Sequence, residues 1–391
     1  MSALTLVGSP SAARVSAGPV LRVDLAAVAT NTRRLAAATT GGLMAVVKAD
    51  GFGHGAVDVA RTALAHGATW LGVTSLAEAW PLRDAGLTAP LLSWLNPVDA
   101  DWTTALRREV DVAVPSRAHL EAVVLAARLS GRTARVHLHL DCGLARDGAA
   151  PAAWPALCRA ARRAEGAGHV RVVGLMGHLP CADTDAVSAR TANAPGRARF
   201  AWGIARAREA GLRPPHRHLA ATSATLTDRL THHTMSRIGA GLVGIDPGGS
   251  LAGARLEGAL ELRAPVVQVR AVRAGTGVGY GHTHRTGRAT HLALLPAGYA
   301  DGLPRTASGQ AEVLLRGRRR PVVGRISMDQ LVVDVGDGAD GGVPEPGEQA
   351  LLLGAGRRGE PTVAQWAAWS GLLPHEVVTG LGARWQREVA R

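Results

Sequence analysis

The sequence predicts an α/β protein, with a (β/α)8 TIM-type barrel over residues 19–255 and a mostly-β domain over residues 256–391. Two patterns predict it. In the first part, eight short apolar runs alternate with alanine- and arginine-rich stretches of helical spacing, the signature of a closed parallel barrel. In the second part the runs shorten and are broken by Gly and Pro, as in APVVQVRAV, HLALLPAG, AEVLLRG, PVVGRISM and QLVVDV.

Taken in order, barrel strands are expected at 43–47, 70–74 (WLGVT), 90–94 (PLLSW), 110–114 (VDVAV), 135–140 (RVHLHL) and 170–176 (VRVVGLM), with weaker runs at 217–221 and 233–237. Helical spacing fills the gaps at 55–66, 117–130 and 152–165. The segment GDGADGGVPEPG at 336–347 is a turn-rich connection within the second domain.

Composition excludes several classes. With 391 residues and 47% hydrophobic content, the chain has enough material for a large core. No apolar run approaches the ~20 residues of a membrane span, and the opening residues lack the basic-then-apolar pattern of a secretory leader. A cytoplasmic protein with no membrane partner is expected. Cys142, Cys158 and Cys181 form no CxxC pair, so neither a disulfide framework nor a metal site is expected. The formal charge of +13 is spread along the chain, with one dense cluster at Arg316, Arg318, Arg319 and Arg320. Two Phe and two Tyr leave little to stack on bases, so no nucleic-acid partner is expected.

One residue stands apart. Of the 44 basic residues, Lys48 is the single lysine. Arginine serves this chain wherever positive charge suffices, which marks Lys48 for chemistry that a guanidinium does not perform. A lysine amine can lose its proton and form a Schiff base with a carbonyl. Lys48 follows the apolar run LMAVV and precedes Gly51, Gly53 and Gly55, so it lies at a strand's C-terminal end, where barrel enzymes place their chemistry. The other expected strand ends carry Asp141 with Arg146 beyond it, His178, Thr222 with Ser223, and Arg237 before Gly239. The loops after the last two barrel strands commonly seat a phosphate on hydroxyls and backbone N–H groups. An imine-forming lysine together with a phosphate seat implies pyridoxal 5'-phosphate.

The motif AVVKADGFGHG at 45–55 resembles the cofactor-lysine signature of the alanine racemase family. VGYG at 278–281, AGYADG at 297–302 and VGRISMDQ at 323–330 resemble three further motifs of that family, in the same order. LRVDL at 21–25 resembles its first strand, which leaves residues 1–18 as a flexible extension. The resemblance implies a two-domain enzyme that inverts the α-carbon of a small amino acid, most simply alanine. Lys48 would bind the cofactor and act as base on one face of the α-carbon. Tyr280, supplied by the partner subunit of a homodimer with shared sites, would act on the other. A phenol, with a reference pKa near ~10, is a weak base at neutral pH and needs help from neighbours, here His178 and Arg237. Arg237 would also donate to the cofactor's pyridine nitrogen. The resemblance adds Asp329 to the catalytic set and assigns substrate contacts to Arg146, Tyr299 and Met328. Cofactor contacts fall to Arg146, His178, Thr222, Ser223, Arg237, Gly239, Ala240 and His375.

The chain departs from the family at several of these places. Phe52 and His375 stand where phosphate-contacting tyrosines are usual, and Ala221-Thr222 aligns with Asn-Ser. His139 replaces a lysine that is sometimes carbamylated and orients Arg146, and Ser327 replaces a common cysteine. Two alternatives are a biosynthetic paralogue acting on a different small amino acid and a cofactor-binding protein without racemase activity. Tyr280 and the full second domain argue against the latter. Arg237, in place of an acidic partner for the pyridine nitrogen, argues against a decarboxylase.

Overall fold

The structure, a computed structural model, describes residues 18–183, 186–246, 256–339 and 341–390. Apart from Gly18, the expected N-terminal extension lies outside the described residues. The chain divides into two compact units. Among the described residues, one comprises Val23–Leu260, Leu372–Leu381, Val389 and Ala390, and the other comprises Gly18–Arg22, Glu261–Gly371 and Gly382–Glu388.

The chain begins with β1 (Val20–Asp24), and all eight runs expected for the barrel then form strands. These are β2 (Gly42–Val46), β3 (Trp70–Val73), β4 (Leu91–Ser93), β5 (Val110–Val114), β6 (Ala134–His139), β7 (Val170–Met176), β8 (His216–His218) and β9 (Met235–Ile238). They form one eight-stranded sheet in the order β8-β7-β6-β5-β4-β3-β2-β9, with parallel pairing throughout. The sheet closes where the Thr234 N–H donates to Arg217 O at 3.1 Å and the Arg237 N–H donates to Ala220 O at 3.0 Å. Helices cover the outside, as parallel strands buried on both faces require. Their starts are written locally: Ser75 and Glu78 form a reciprocal capping box at the helix Leu76–Asp84. Inside, Met44, Val46, Trp70, Leu92, Ala113, Met176 and Met235 pack into one buried cluster. Each large apolar side chain removed from water there contributes about 1.5–3 kcal/mol.

The second unit is built on antiparallel pairings. Its largest sheet has six strands in the order Arg318–Pro321, Glu312–Leu315, Gln349–Leu353, Leu260–Pro265, β1 and Gln386–Ala390. A three-stranded sheet is formed by Gln268–Val272, Thr290–Leu295 and Leu331–Gly336. β1 therefore belongs to the six-stranded sheet, although the sequence reading counts residues from 19 onward with the barrel. Its apolar pattern suits either sheet, and the pairing partners beside it decide the matter. The helix Pro374–Thr379, which carries His375, groups with the barrel unit and not with the β strands that flank it in sequence.

Candidate active site

Lys48 stands just beyond β2, after Val47, whose N–H extends the ladder to Gly72 O at 2.9 Å. The backbone then turns left-handed through Ala49, Asp50, Gly51, Phe52 and Gly53, with φ between 50° and 77°. Three of these are not glycine, and each costs about 1–2 kcal/mol in that conformation. The cost is offset by specific partners. The Ala49 N–H donates to Glu78 Oε1 at 2.7 Å, and the Ala56 N–H donates to Asp50 Oδ1 at 2.8 Å. Gly53 is required for space as well: a Cβ there would lie 2.4 Å from Val378 O, on the returning His375 segment.

Burial pushes the Lys48 amine below the ordinary lysine range. Arg146 and Arg237 push the same way, and Glu78 opposes them. Glu78 stays ionised because hydrogen bonds from the Thr74 hydroxyl and from the Ala49, Thr74 and Ser75 N–H groups outweigh its burial. Arg146 makes no hydrogen bond or ion pair with a described side chain, which leaves an exposed guanidinium beside the amine, suited to an anion.

Arg237 is almost wholly buried. Its Nη1 donates to His218 O at 2.8 Å and to His218 Nδ1 at 3.0 Å. Nη2 donates to Gly177 O at 2.7 Å, with His178 Nδ1 and Leu219 O both at 3.3 Å. The hydrogens of both terminal nitrogens are thereby committed, and Nε–H is the donor left for a ligand. Burial pulls the guanidinium down to about 10, which keeps it protonated at neutral pH.

Burial, Arg237, Arg146 and Lys48 push His178 down to about 3, so its ring is neutral. His218, fully buried beside Arg237, is pushed well below the usual histidine range. A free imidazole takes up a proton near pH ~6.5, so below that value the unfolded chain binds more protons than the folded barrel. The stability that the neutral rings contribute is full above about pH 6.5 and is lost progressively toward about 3. The urea midpoint is expected to fall between about pH 7.5 and about pH 5, and to fall less in His178→Gln. An identical fall in both proteins would contradict this.

Beyond β8, Thr222 and Ser223 open the short helix Thr222–Thr227. The Thr222 hydroxyl oxygen accepts the Gly241 N–H at 3.3 Å and keeps its own proton to give. Ser223 Oγ instead donates to Asp183 Oδ1 at 2.7 Å. After β9, the N–H groups of Gly239 and Ala240 have no backbone partner among the described residues. A Cβ on Gly239 would lie 2.7 Å from the Phe52 ring, and one on Gly241 would lie 2.9 Å from Thr222 Cγ2, so the glycines keep this seat open. The rings of Phe52 and His375 meet at 6.0 Å between centroids. Burial lowers His375, Asp183 opposes that shift and Lys48 adds to it. Near Arg146, His139 Nδ1 lies 3.3 Å from Asp147 Oδ2.

The barrel unit thus brings Lys48, Arg146, His178 and Arg237 within electrostatic reach of one another, with Thr222, Gly239 and Ala240 on the adjoining strand ends. The remaining candidates gather on the second unit. The Tyr299 and Ala300 N–H groups donate to Ser327 O and Met328 O at 3.0 and 2.9 Å, and a Cβ on Gly324 would lie 2.8 Å from Val278 O. Three motifs far apart in sequence therefore adjoin. They present Tyr280 (71% exposed), Tyr299 (41%) and Met328 (53%) to solvent. Asp329 is held by Arg384 Nη1 at 2.5 Å. The sequence reading missed Glu78, Asp183 and His218; only the capping pattern at Ser75–Glu78 could have drawn attention to one of them.

A closed (β/α)8 barrel whose strand ends converge on one half-buried amine, in a chain that also carries a β domain, defines a two-domain barrel enzyme. Residues 23–247 match the family model "Alanine racemase, N-terminal domain", and residues 259–389 match "Alanine racemase, C-terminal domain". The chain belongs to the alanine racemase family. It is 44% identical over 373 residues to the alanine racemase of Frankia casuarinae, covering 93% of this chain and 94% of that protein. It is 46% identical over 358 residues to that of Mycobacterium tuberculosis, covering 91% and 92%. The crystal structure of alanine racemase from D-cycloserine producing Streptomyces lavendulae superposes with a TM-score of 0.91 at 41% identity, covering 96% and 97%. Among the described residues, no helix is long and apolar enough to cross a membrane.

Proposed function

We propose that this protein interconverts L- and D-alanine with pyridoxal 5'-phosphate, using Lys48 and Tyr280 as bases on opposite faces of the α-carbon. The observation that carries the reading is the chain's only lysine, set at a barrel strand end with its amine lowered by burial and by Arg146 and Arg237. The residues present fit the cofactor. Lys48 would hold it, the Thr222 hydroxyl with the Gly239 and Ala240 N–H groups would hold its phosphate, and Arg237 Nε–H is free for its ring nitrogen. When bound, the cofactor supplies an electron-accepting ring that makes the α-proton of an attached amino acid acidic.

The chain's own groups do the rest. A lowered amine on Lys48 is more often neutral, as a base must be. Arg237 is donor-only and retains its proton, so a ring nitrogen facing it is hydrogen-bonded without being protonated. Arg146 offers its unpaired charge to a carboxylate, with Tyr299 and Met328 as further substrate contacts. His178, neutral with Nδ1 facing Arg237, carries its proton on Nε2 and presents it as a donor to the phenol side of the site. Tyr280 reaches that site from the partner subunit of a homodimer; its exposure beside Tyr299 and Met328 supports this. Asp329 acts in the same shared site, on the face that Arg384 orders. The cytoplasm is the compartment proposed, supported by the buried free thiols of Cys142 and Cys158.

The test is to incubate the enzyme with cofactor and a panel of L- and D-amino acids in heavy water. Both alanine enantiomers should exchange their α-proton and converge to a racemate. Exchange of another amino acid without alanine would overturn the substrate. For the phosphate seat, Thr222→Val is expected to weaken cofactor binding by about tenfold or more, since a hydrogen bond to a charged group contributes about 1.5–3 kcal/mol. Ser223→Ala should matter less, because its proton is committed to Asp183. Equal effects of the two substitutions in a cofactor titration would contradict this seat.

A further inference from the structure

Behind Arg237 a string of buried polar groups crosses the barrel interior, away from Lys48. His218 Nε2 lies 2.9 Å from His137 Nδ1, His137 Nε2 faces Asp111 Oδ2 at 3.4 Å, and Arg135 Nε donates to Asp111 Oδ1 at 2.8 Å. The His137–Asp111 approach lies outside hydrogen-bond geometry, and neither His137 Nε2 nor Asp111 Oδ2 has a hydrogen-bond partner among the described residues, so each buried atom is aimed at the other. His137 and His218 are fully buried and Asp111 nearly so. The backbone is shaped for this string. The β6–β7 register shifts between Val136 and His137, a bulge that re-aims the side chain. Gly174, opposite on β7, leaves the space the ring fills: a Cβ there would lie 2.0 Å from His137 Nδ1. The rings of Trp70 and His216 flank His137, with centroids at 5.5 and 6.4 Å.

Counting protons along the string leaves one assignment. A guanidinium only donates, so His218 Nδ1, facing Arg237 Nη1, carries no proton. The neutral His218 ring therefore has its proton on Nε2 and gives it to His137 Nδ1. His137 in turn holds its proton on Nε2, toward Asp111, and a carboxylate only accepts. Donor-only Arg237 at one end and acceptor-only Asp111 at the other are thus in agreement, and every link points the same way.

We propose that Asp111 is a remote positioning residue for racemisation: by fixing the tautomers of His137 and His218 it keeps an acceptor opposite Arg237, and so keeps the guanidinium aimed. Asp111→Asn tests this without changing volume. Arg135 Nε would pin the amide oxygen and turn the NH2 toward His137. Both rings would then switch to Nδ1–H, and a donor would face Arg237 Nη1. In holoenzyme labelled with 15N-histidine, wild-type His137 and His218 are expected as Nε2–H tautomers, and Asp111→Asn should convert both. kcat should fall about tenfold, the scale of one mis-set hydrogen bond, with KM for alanine changed less than about twofold. Combining Asp111→Asn with Arg135→Ala frees the amide to rotate and should restore both the tautomers and kcat. Nδ1–H at wild-type His218 would overturn the proposal before any variant is made. Unchanged tautomers in Asp111→Asn, switched tautomers with unchanged kcat, or no recovery in the double variant would also overturn it. The tautomer readout does not depend on the substrate assignment, so failure of that assignment would be visible separately.

Discussion

Lys48→Ala is expected to leave a folded protein with no visible absorbance from bound cofactor and no racemisation, a loss of more than about 1,000-fold. The effect is large because the proposed mechanism gives one side chain two roles, holding the cofactor and serving as a base, and no other lysine exists to take either over. Lys48→Arg should be as inactive, since a guanidinium stays protonated and is a poor nucleophile. The fold should survive because the substitution lies beyond β2, outside the buried cluster. Reduction of the wild-type holoenzyme with borohydride should place the cofactor label on the peptide that contains residue 48. Label found only at the N-terminal amine would remove Lys48 from the centre of the site.

Tyr280→Phe should separate the two faces of the reaction. It removes one of the two proposed bases and leaves Lys48, Arg146 and Arg237 untouched, so cofactor binding should be normal. On the family's assignment of faces, the variant should still exchange the α-proton of the D-enantiomer in heavy water. Exchange of the L-enantiomer and net racemisation should fall by at least about 100-fold, the scale of a missing general base. Mixing subunits carrying Tyr280→Phe with subunits carrying Lys48→Ala should regenerate some sites that contain both bases, and with them some activity. Recovery requires a dimer whose sites are shared. Equal loss of exchange for both enantiomers, or no loss, would reduce Tyr280 to a surface residue.

The barrel was legible because its signals are local. Each run from 43–47 to 233–237 is apolar and bounded by turn or helix residues, and a parallel strand buried on both faces leaves that mark whatever its neighbours are. Lys48 was legible for a compositional reason, as one lysine against an arginine background. The convergence of Arg146, His178 and Arg237 on it followed from the rule that barrel chemistry sits at strand ends. Less could be read of the proposed phosphate seat. Thr222 and Ser223 look equivalent in sequence, yet Asp183, 40 positions away from Ser223, engages only the latter.

The sequence by itself determined the order of strands and helices, the residue proposed to meet the cofactor, and the class of chemistry, because periodicity, turn residues and side-chain type are properties of short stretches of chain. Tertiary structure decided the left-handed turn at 49–53, which persists because Glu78 and the His375 segment hold it. It decided that β1 joins the second unit's sheet and that His375 returns to the barrel unit. It also set the protonation of the buried histidines: His178 is neutral because burial and three cations act on it at once, and the tautomer of His218 depends on His137, 81 positions away. A pKa and a proton's position depend on what surrounds a group in space, and that is settled only when distant strands become neighbours.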